Sequence, residues 1–445
     1  MKIAAMLTVL LGALGVVEPL GAQAPRAPAF PNTAAGRVLR AWLEANNSAD
    51  TTRLTVYHRR YQPGLPAGYE PVSRDSVRRY DLLTIERSEP RRVEFTLQVR
   101  GGTLTTYGLL AVSDAEPVQV TAFPLRAMGP GISPAAMRID AATRARVIAG
   151  AVTRLDTLYV FPEVAKRVGD SVRARLARGA YDAHGNGMSF AMRVSEDLRE
   201  LTGDKHLRME YIVEHLQPPP PPLPAPPAQP VSDGARERAW MDHVNCGFVR
   251  AERLASNVGY VKLDMFGPPE LCGATASAAM TFVAGTRALI VDLRENGGGS
   301  PEMVAYVSSY LFTQRTHLND LWSRRTGRSV EFWTRDSVPG IRFGADKPVY
   351  VLTSGQTFSA AEEFAYNLKS LKRATIVGEV TGGGAHPASG RRLGDHFFIS
   401  VPSARAINPI TRTNWEGIGV EPEVKVTAGE ALAAVQKLLR ESPHP

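Results

Sequence analysis

Apolar positions along this chain follow three successive rhythms. Between Arg37 and Asn46, the residues Val38, Leu39, Trp42 and Leu43 fall on one face, as in an amphipathic helix. Residues 93–99 and 104–112 then alternate apolar with polar around Gly101-Gly102, the pattern of two strands joined by a hairpin. Residues 36–130 therefore read as a small α+β accessory domain. Helical spacing returns over 138–152, 164–178 and 190–202, with breaks at Gly179 and at Gly185-Asn186-Gly187, so 131–214 reads as a three-helix segment. Beyond residue 236 short apolar runs at 258–263, 288–293, 349–352, 375–377 and 397–401 predict strands. Residues 301–312, 359–371 and 430–440 predict helices between and after them. Alternating strands and helices imply an α/β core over 236–445, a sheet covered by helices.

The stretch 217–230 holds nine prolines and fits no core; it is expected to be an extended spacer within a 215–235 linker. At the N-terminus, Lys2 precedes an apolar run broken by Glu18-Pro19 and followed by small residues up to Ala24. That pattern predicts a signal peptide over 1–22, cut after Ala22, with 23–35 as a flexible leader. The run is too short for a comfortable span, so membrane contact is expected through the signal peptide alone, and the mature chain is expected to be periplasmic or secreted. Export permits a disulfide between Cys246 and Cys272, the chain's two cysteines; two unbridged buried thiols are the alternative.

Composition narrows the function classes. The 445 residues are 44% hydrophobic and 22% charged, the balance of a folded protein of two or three domains. A net charge of +8 comes from basic residues spread along the chain, without the clustered, aromatic-interleaved pattern of a nucleic-acid site. No His/Cys cluster has metal-site spacing, so neither a metal nor an organic cofactor is expected.

Three segments carry candidate chemistry. In Leu352-Thr-Ser-Gly-Gln-Thr-Phe-Ser359-Ala-Ala-Glu362 a strand leads through a turn to a helix starting at Ser359. Ser359-x-x-Glu362 fits a helix capping box, yet a serine at a helix start also suits a nucleophile, because first-turn N–H groups are unpaired and favour negative charge. In Val291-Asp-Leu-Arg-Glu-Asn296-Gly297-Gly298-Gly299 a strand enters three glycines, which can aim N–H donors at a ligand. A phosphate loop would need a Lys-Ser/Thr ending that is missing here. In Thr375-Ile-Val-Gly378-Glu-Val-Thr381-Gly-Gly-Gly384-Ala-His386 a second glycine loop follows another strand.

As a set, these motifs resemble the peptidase family of C-terminal processing proteases, tricorn protease and the interphotoreceptor retinoid-binding protein, over about 140 to 426. The resemblance implies a ClpP/crotonase-like layered core, a peptide or protein substrate and a serine peptidase with Ser359 as nucleophile. It also implies an oxyanion hole from the N–H groups of Gly297 or Gly298 with that of Ala360. Processing proteases use a lysine whose place falls at Gly384, and no lysine occurs between Lys372 and Lys425. The tricorn-like branch uses a histidine and a glutamate, whose segments resemble Gly203-Asp-Lys-His206 and Asn414-Trp-Glu416. His206 is then the general base and Glu416 its orienting partner, with His386 the alternative base. Lys205 stands where that branch has a serine relay, so Glu416 reaches His206 directly or through a bridging group. About fifty residues between His206 and Gly259, many of them proline, leave no room for a PDZ domain. The alternative function is non-catalytic binding of hydrophobic ligands on the same scaffold.

Overall fold

The computed structural model describes residues 28–50, 52–62, 79–128, 134–212, 233–394 and 396–441. The expected signal peptide lies outside them, as does the 215–235 linker except its last three residues, which open helix α6. Among the described residues no helix is long and apolar enough to cross a membrane.

The first block holds α1 (Ala34–Asn47) and α2 (Thr52–Tyr61), then strands β1 (Tyr80–Glu89), β2 (Arg92–Val99), β3 (Thr105–Val112), β4 (Val120–Ala122) and β5 (Leu125–Met128). The five strands form one antiparallel sheet. The apolar face of α1, with Val38, Leu39, Trp42 and Leu43 all buried, packs with Val93, Phe95 and Leu97 of β2.

Three helices follow: α3 (Ala141–Leu158), α4 (Pro162–Ala177) and α5 (Gly187–Thr202), then strand β6 (Arg208–Tyr211). Local chemistry sets their ends. Asp140 and Asn186 cap α3 and α5 by accepting first-turn N–H groups, Pro162 opens α4, and Gly203 ends α5 in the left-handed region at φ 74°.

The last block runs α6 (Asp233–His243), β7 (Phe248–Leu254), β8 (Val258–Leu263), α7 (Pro269–Val283), β9 (Ala288–Asp292), α8 (Pro301–Ser308), β10 (His317–Ser323) and β11 (Arg328–Trp333). It continues β12 (Val349–Thr353), α9 (Ala360–Ser370), β13 (Thr375–Gly378), β14 (Ala388–Arg392), β15 (Phe397–Pro402), β16 (Ala404–Ile407), β17 (Val424–Lys425) and α10 (Ala431–Glu441). Its main sheet has the order β17-β13-β12-β9-β8-β7, parallel except for the edge pair β7–β8. Period-two alternation splits each inner strand between two cores. Val261, Leu289, Val291, Val349 and Val351 face α7, α8 and α9, whereas Tyr260, Ile290 and Leu352 face α10. Burial on both faces is why these strands read as unbroken apolar runs. Cys246 and Cys272 are joined by a disulfide, tying the turn before β7 to α7.

One expected core strand goes elsewhere. The 397–401 run becomes β15, which leaves the main sheet and pairs with β14 and, antiparallel, with β6. Phe397, Ile399 and Val401 are buried against the three-helix segment, and Met209 and Tyr211 of β6 share that cluster. This ladder binds the helical segment to the α/β block and delivers the chain just before β6 to the ends of the parallel strands.

Candidate active site

β9, β12 and β13 all end on one edge of the main sheet, where loops after parallel strands form a crevice. The loop after β9 is fixed first. Asp292, buried at the strand end, accepts from Tyr260 Oη at 2.6 Å and from Arg294 Nη2 at 2.6 Å, and Arg294 Nη1 donates to the Ala428 carbonyl. Asp292 and Arg294 thus hold the loop and stay out of the crevice. Asn296, fully buried, donates to the Leu263 carbonyl, accepts from Gly298 N–H at 2.9 Å, and receives Phe358 N–H on its own carbonyl.

These bonds change the expected oxyanion hole. Gly297 N–H donates to the Asp264 carbonyl at 3.2 Å, and Gly298 N–H is taken by the Asn296 side chain. Neither is available to a substrate. Gly299 N–H has no acceptor among the described residues, and Gly299 lines the same cavity as Ser359 and Ala360. Ala360 is the first residue of α9, so the helix leaves its N–H unpaired.

Ser359 joins β12 to α9 with φ 55° and ψ −120°, a strained conformation for a residue bearing a Cβ. The turn is tied down by Thr357 Oγ1 to the Leu293 carbonyl and by Ser354 Oγ to the Arg294 carbonyl. Glu362 accepts Ser359 N–H at 2.8 Å, as the capping reading anticipated. It also accepts Gly383 N–H at 2.6 Å, Gly384 N–H at 2.8 Å and the Thr381 hydroxyl. One buried carboxylate therefore holds the Ser359 turn and the second glycine loop together, a role that spacing alone did not reveal.

His206 follows the α5 cap and lines the Ser359 cavity, a space of about 290 Å³. Its ring lies against Phe358, centroids 4.7 Å apart, and its backbone N–H donates to Asp204 Oδ1 at 3.0 Å. Burial pushes the imidazole down to about 4, against the pull of Asp204. His206 Nδ1 is shut away from solvent with no partner. Gly384, where the processing-protease lysine would fall, has no room for a side chain: a Cβ there would lie 2.3 Å from Phe358 Cζ and 2.7 Å from His206 Cε1.

Glu416 makes its closest imidazole contact with His386 rather than His206. His386 Nδ1 lies 2.9 Å from Asp204 Oδ2 and 3.4 Å from Glu416 Oε2, and Oε2 also accepts Ala385 N–H at 2.5 Å. Asp204, absent from the expected set, accepts the Tyr159 hydroxyl as well. Burial and the neighbouring Asp204 push the Glu416 carboxyl up to about 7, with His386 opposing. Glu416 Oε1, like His206 Nδ1, is buried without a partner among the described residues. A His206 nitrogen and one carboxylate oxygen each of Asp204 and Glu416 lie within 4.8 Å of one another, a donor set that could also hold a cation. Lys205 donates from Nζ to the Gly382 carbonyl.

A family model covers the same segment. Residues 257–426 match peptidase family S41. A carboxyl-terminal-processing peptidase of Arabidopsis thaliana chloroplasts is 28% identical over 194 residues, 42% of this chain and 36% of that one. Tricorn protease of Thermoplasma volcanium is 28% identical over 199 residues, 43% of this chain and 17% of its own length. The chain thus spans well under half of either relative. Among solved structures, the photosystem II D1 C-terminal processing protease aligns at a TM-score of 0.41 and 18% identity, covering 64% of this chain and 94% of that one. Tricorn protease aligns at 0.43 and 12%, covering 81% and 41%. The loop after β9, the Ser359 turn and the loop after β13 all fall inside the matched residues, so this chain carries a peptidase family S41 domain.

Proposed function

We propose that the chain is an exported serine peptidase that hydrolyses peptide bonds through an acyl-enzyme on Ser359. One observation carries this reading: Ser359 stands in strained backbone at the start of α9, in the same cavity as the buried imidazole of His206. His206 takes the Ser359 proton as Oγ attacks the scissile carbonyl, and the ring nitrogen that serves is Nε2, since Nδ1 is shut in. The tetrahedral oxyanion receives N–H groups from Ala360 and Gly299; losing one such donor costs roughly 10²–10³ in turnover. The proton passes to the leaving amine, and a water repeats the sequence to release the acyl group.

Glu416 steadies the imidazolium through a bridging water. Its Oε1 and His206 Nδ1 are both orphaned, and one water would satisfy both. Lys205, bonded to Gly382, leaves that space free. Export is supported by the 1–22 pattern and by the Cys246–Cys272 bridge, which suits an oxidising compartment. The helices on both faces of the main sheet support the layered ClpP/crotonase-like description. We divide the chain into the accessory domain 36–130, the helical segment 131–214 and the peptidase core 236–445.

The test is intact-mass labelling with a serine-directed phosphonylating probe. A single adduct on the wild type, lost in Ser359→Ala, is expected. A folded wild type that takes no adduct across several probe sizes would overturn the peptidase reading and favour hydrophobic-ligand binding.

A further inference from the structure

We infer that the Cys246–Cys272 disulfide is a positioning device for the oxyanion site. It clamps the strap 264–267, which carries the loop holding Gly299, so the chain reaches full turnover only once that bond has formed. The inference rests on the peptidase reading above and adds to it a requirement for an oxidised chain.

The strap runs from the end of β8 to the start of α7 and is bonded on both sides. Toward the site, the Asp264 carbonyl accepts Gly297 N–H at 3.2 Å, Phe266 N–H donates to the Gly298 carbonyl at 2.8 Å, and the Phe266 carbonyl accepts Ser300 N–H at 2.8 Å. Phe266 and Gly299 pair as a parallel bridge, so close that a Cβ on Gly299 would lie 2.1 Å from the Phe266 carbonyl oxygen. The Gly299 N–H therefore stands where the strap puts it. On the other side, Asp264 N–H donates to the Gly247 carbonyl at 2.8 Å. A Cβ on Gly247 would lie 2.3 Å from Met265 Cγ, and one on Gly267 would lie 2.7 Å from Cys272 Sγ. The turn before β7 and the start of α7 are thus the two supports of the strap, and the disulfide joins them.

The support that bears Cys246 is strained. Asn245, Cys246 and Gly247 are all left-handed, at φ 47°, 56° and 79°, and two of the three carry a Cβ that makes this backbone costly. With the bond to Cys272 open, the turn relaxes toward ordinary backbone and draws the Gly247 carbonyl away from Asp264. A bond that only restricted the unfolded chain could join any two loops; this one closes around the segment that sets the Gly299 N–H. Cys246 and Cys272 are both buried, so the closed bond is sheltered from exchange with outside thiols, and the dependence lies in forming it.

The experiment compares three proteins: oxidised wild type, the paired variant Cys246→Ala with Cys272→Val, and wild type refolded in dithiothreitol. The two thiols of dithiothreitol pass two electrons and two protons to the cysteine sulfurs and close as a ring disulfide. Near-UV circular dichroism checks folding, and all measurements are made well below each Tm. Amide hydrogen exchange at 264–267 and 297–300 is expected to be ~10-fold faster without the bond, with β12 and β13 unchanged. Both kcat and the rate of phosphonylating-probe labelling should fall by ~10- to 100-fold, short of the full loss of one oxyanion donor. KM should stay within about threefold, and reoxidation should restore the reduced wild type. Folded proteins that lose Tm but keep wild-type kcat and local exchange would show a plain staple and overturn the proposal. Loss of the whole fold in both bond-free forms overturns it as well. If oxidised wild type neither cleaves nor labels, the peptidase reading has failed, and exchange alone judges the clamp: faster at both segments upholds it, and equal rates overturn it.

Discussion

The glycine triplets 297–299 and 382–384 follow the ends of β9 and β13, the two strands that flank β12 and its Ser359 turn. By sequence they look interchangeable, yet they are glycine for different reasons. In the first loop the backbone itself is the device. Gly298 has φ 110°, and a Cβ there would stand 2.7 Å from the Cβ of Ser359, so the loop presses directly on Ser359. In the second loop what matters is room. A side chain at Gly384 would meet the rings of Phe358 and His206, and the N–H groups of Gly383 and Gly384 are absorbed by Glu362. On the proposed mechanism, one triplet shapes the electrophile's binding site and the other makes space for the base. A glycine-rich motif therefore marks a close approach without saying what approaches.

Substitutions separate the two roles. Gly298→Ala should be the most damaging, because it combines a left-handed backbone with a clash on Ser359. Each effect costs on the order of 1–3 kcal/mol, and turnover should fall by about 10²- to 10³-fold, read in kcat and in the rate of probe labelling. Gly384→Ala should lower kcat by about 10- to 100-fold by displacing Phe358 and His206, with a Tm loss from overpacking. Labelling that stayed at the wild-type rate in Gly384→Ala would show that the second loop does not govern the base. Glu416→Gln, at the far side of that loop, should be mildest, about tenfold in kcat/KM at pH 8. Its signature is in pH. With its carboxyl raised to about 7, Glu416 is protonated below that pH and anionic above it, so wild-type kcat/KM should climb as pH rises through about 7. Asp204 and His386 face the same carboxyl and shape that limb. The variant should lose it and keep the fall near pH 4 set by His206. Retention of the limb would move it from Glu416 to another group.

Much of the core was legible because its parallel strands are buried on both faces and so stand out as apolar runs. The Ser359 turn and the loop after β9 were legible because they join such runs to helices. Other features depended on contacts that no local pattern encodes. Whether Gly298 or Gly299 has a free N–H turns on the Asn296 side chain capturing one of them. His386 meets Asp204 across 182 residues, and nothing near either marks the other. β15 alternates buried and half-buried residues like a sheet strand, but its period could not say that its partner is β6 rather than the main sheet.

The β6–β15 ladder carries a consequence for the life history of the molecule. His206 enters the site just ahead of β6, while Ser359 belongs to the α/β block, and Phe397 to Ser400 pair with Tyr211 to Arg208 across the seam. On the proposed mechanism, a chain whose α/β block has formed but whose β6 has not yet docked holds a serine without a base. It cannot digest itself or its escorts while it is being made and carried. Catalytic competence then switches on at the last docking event, so the onset of activity during refolding is a clock for that seam.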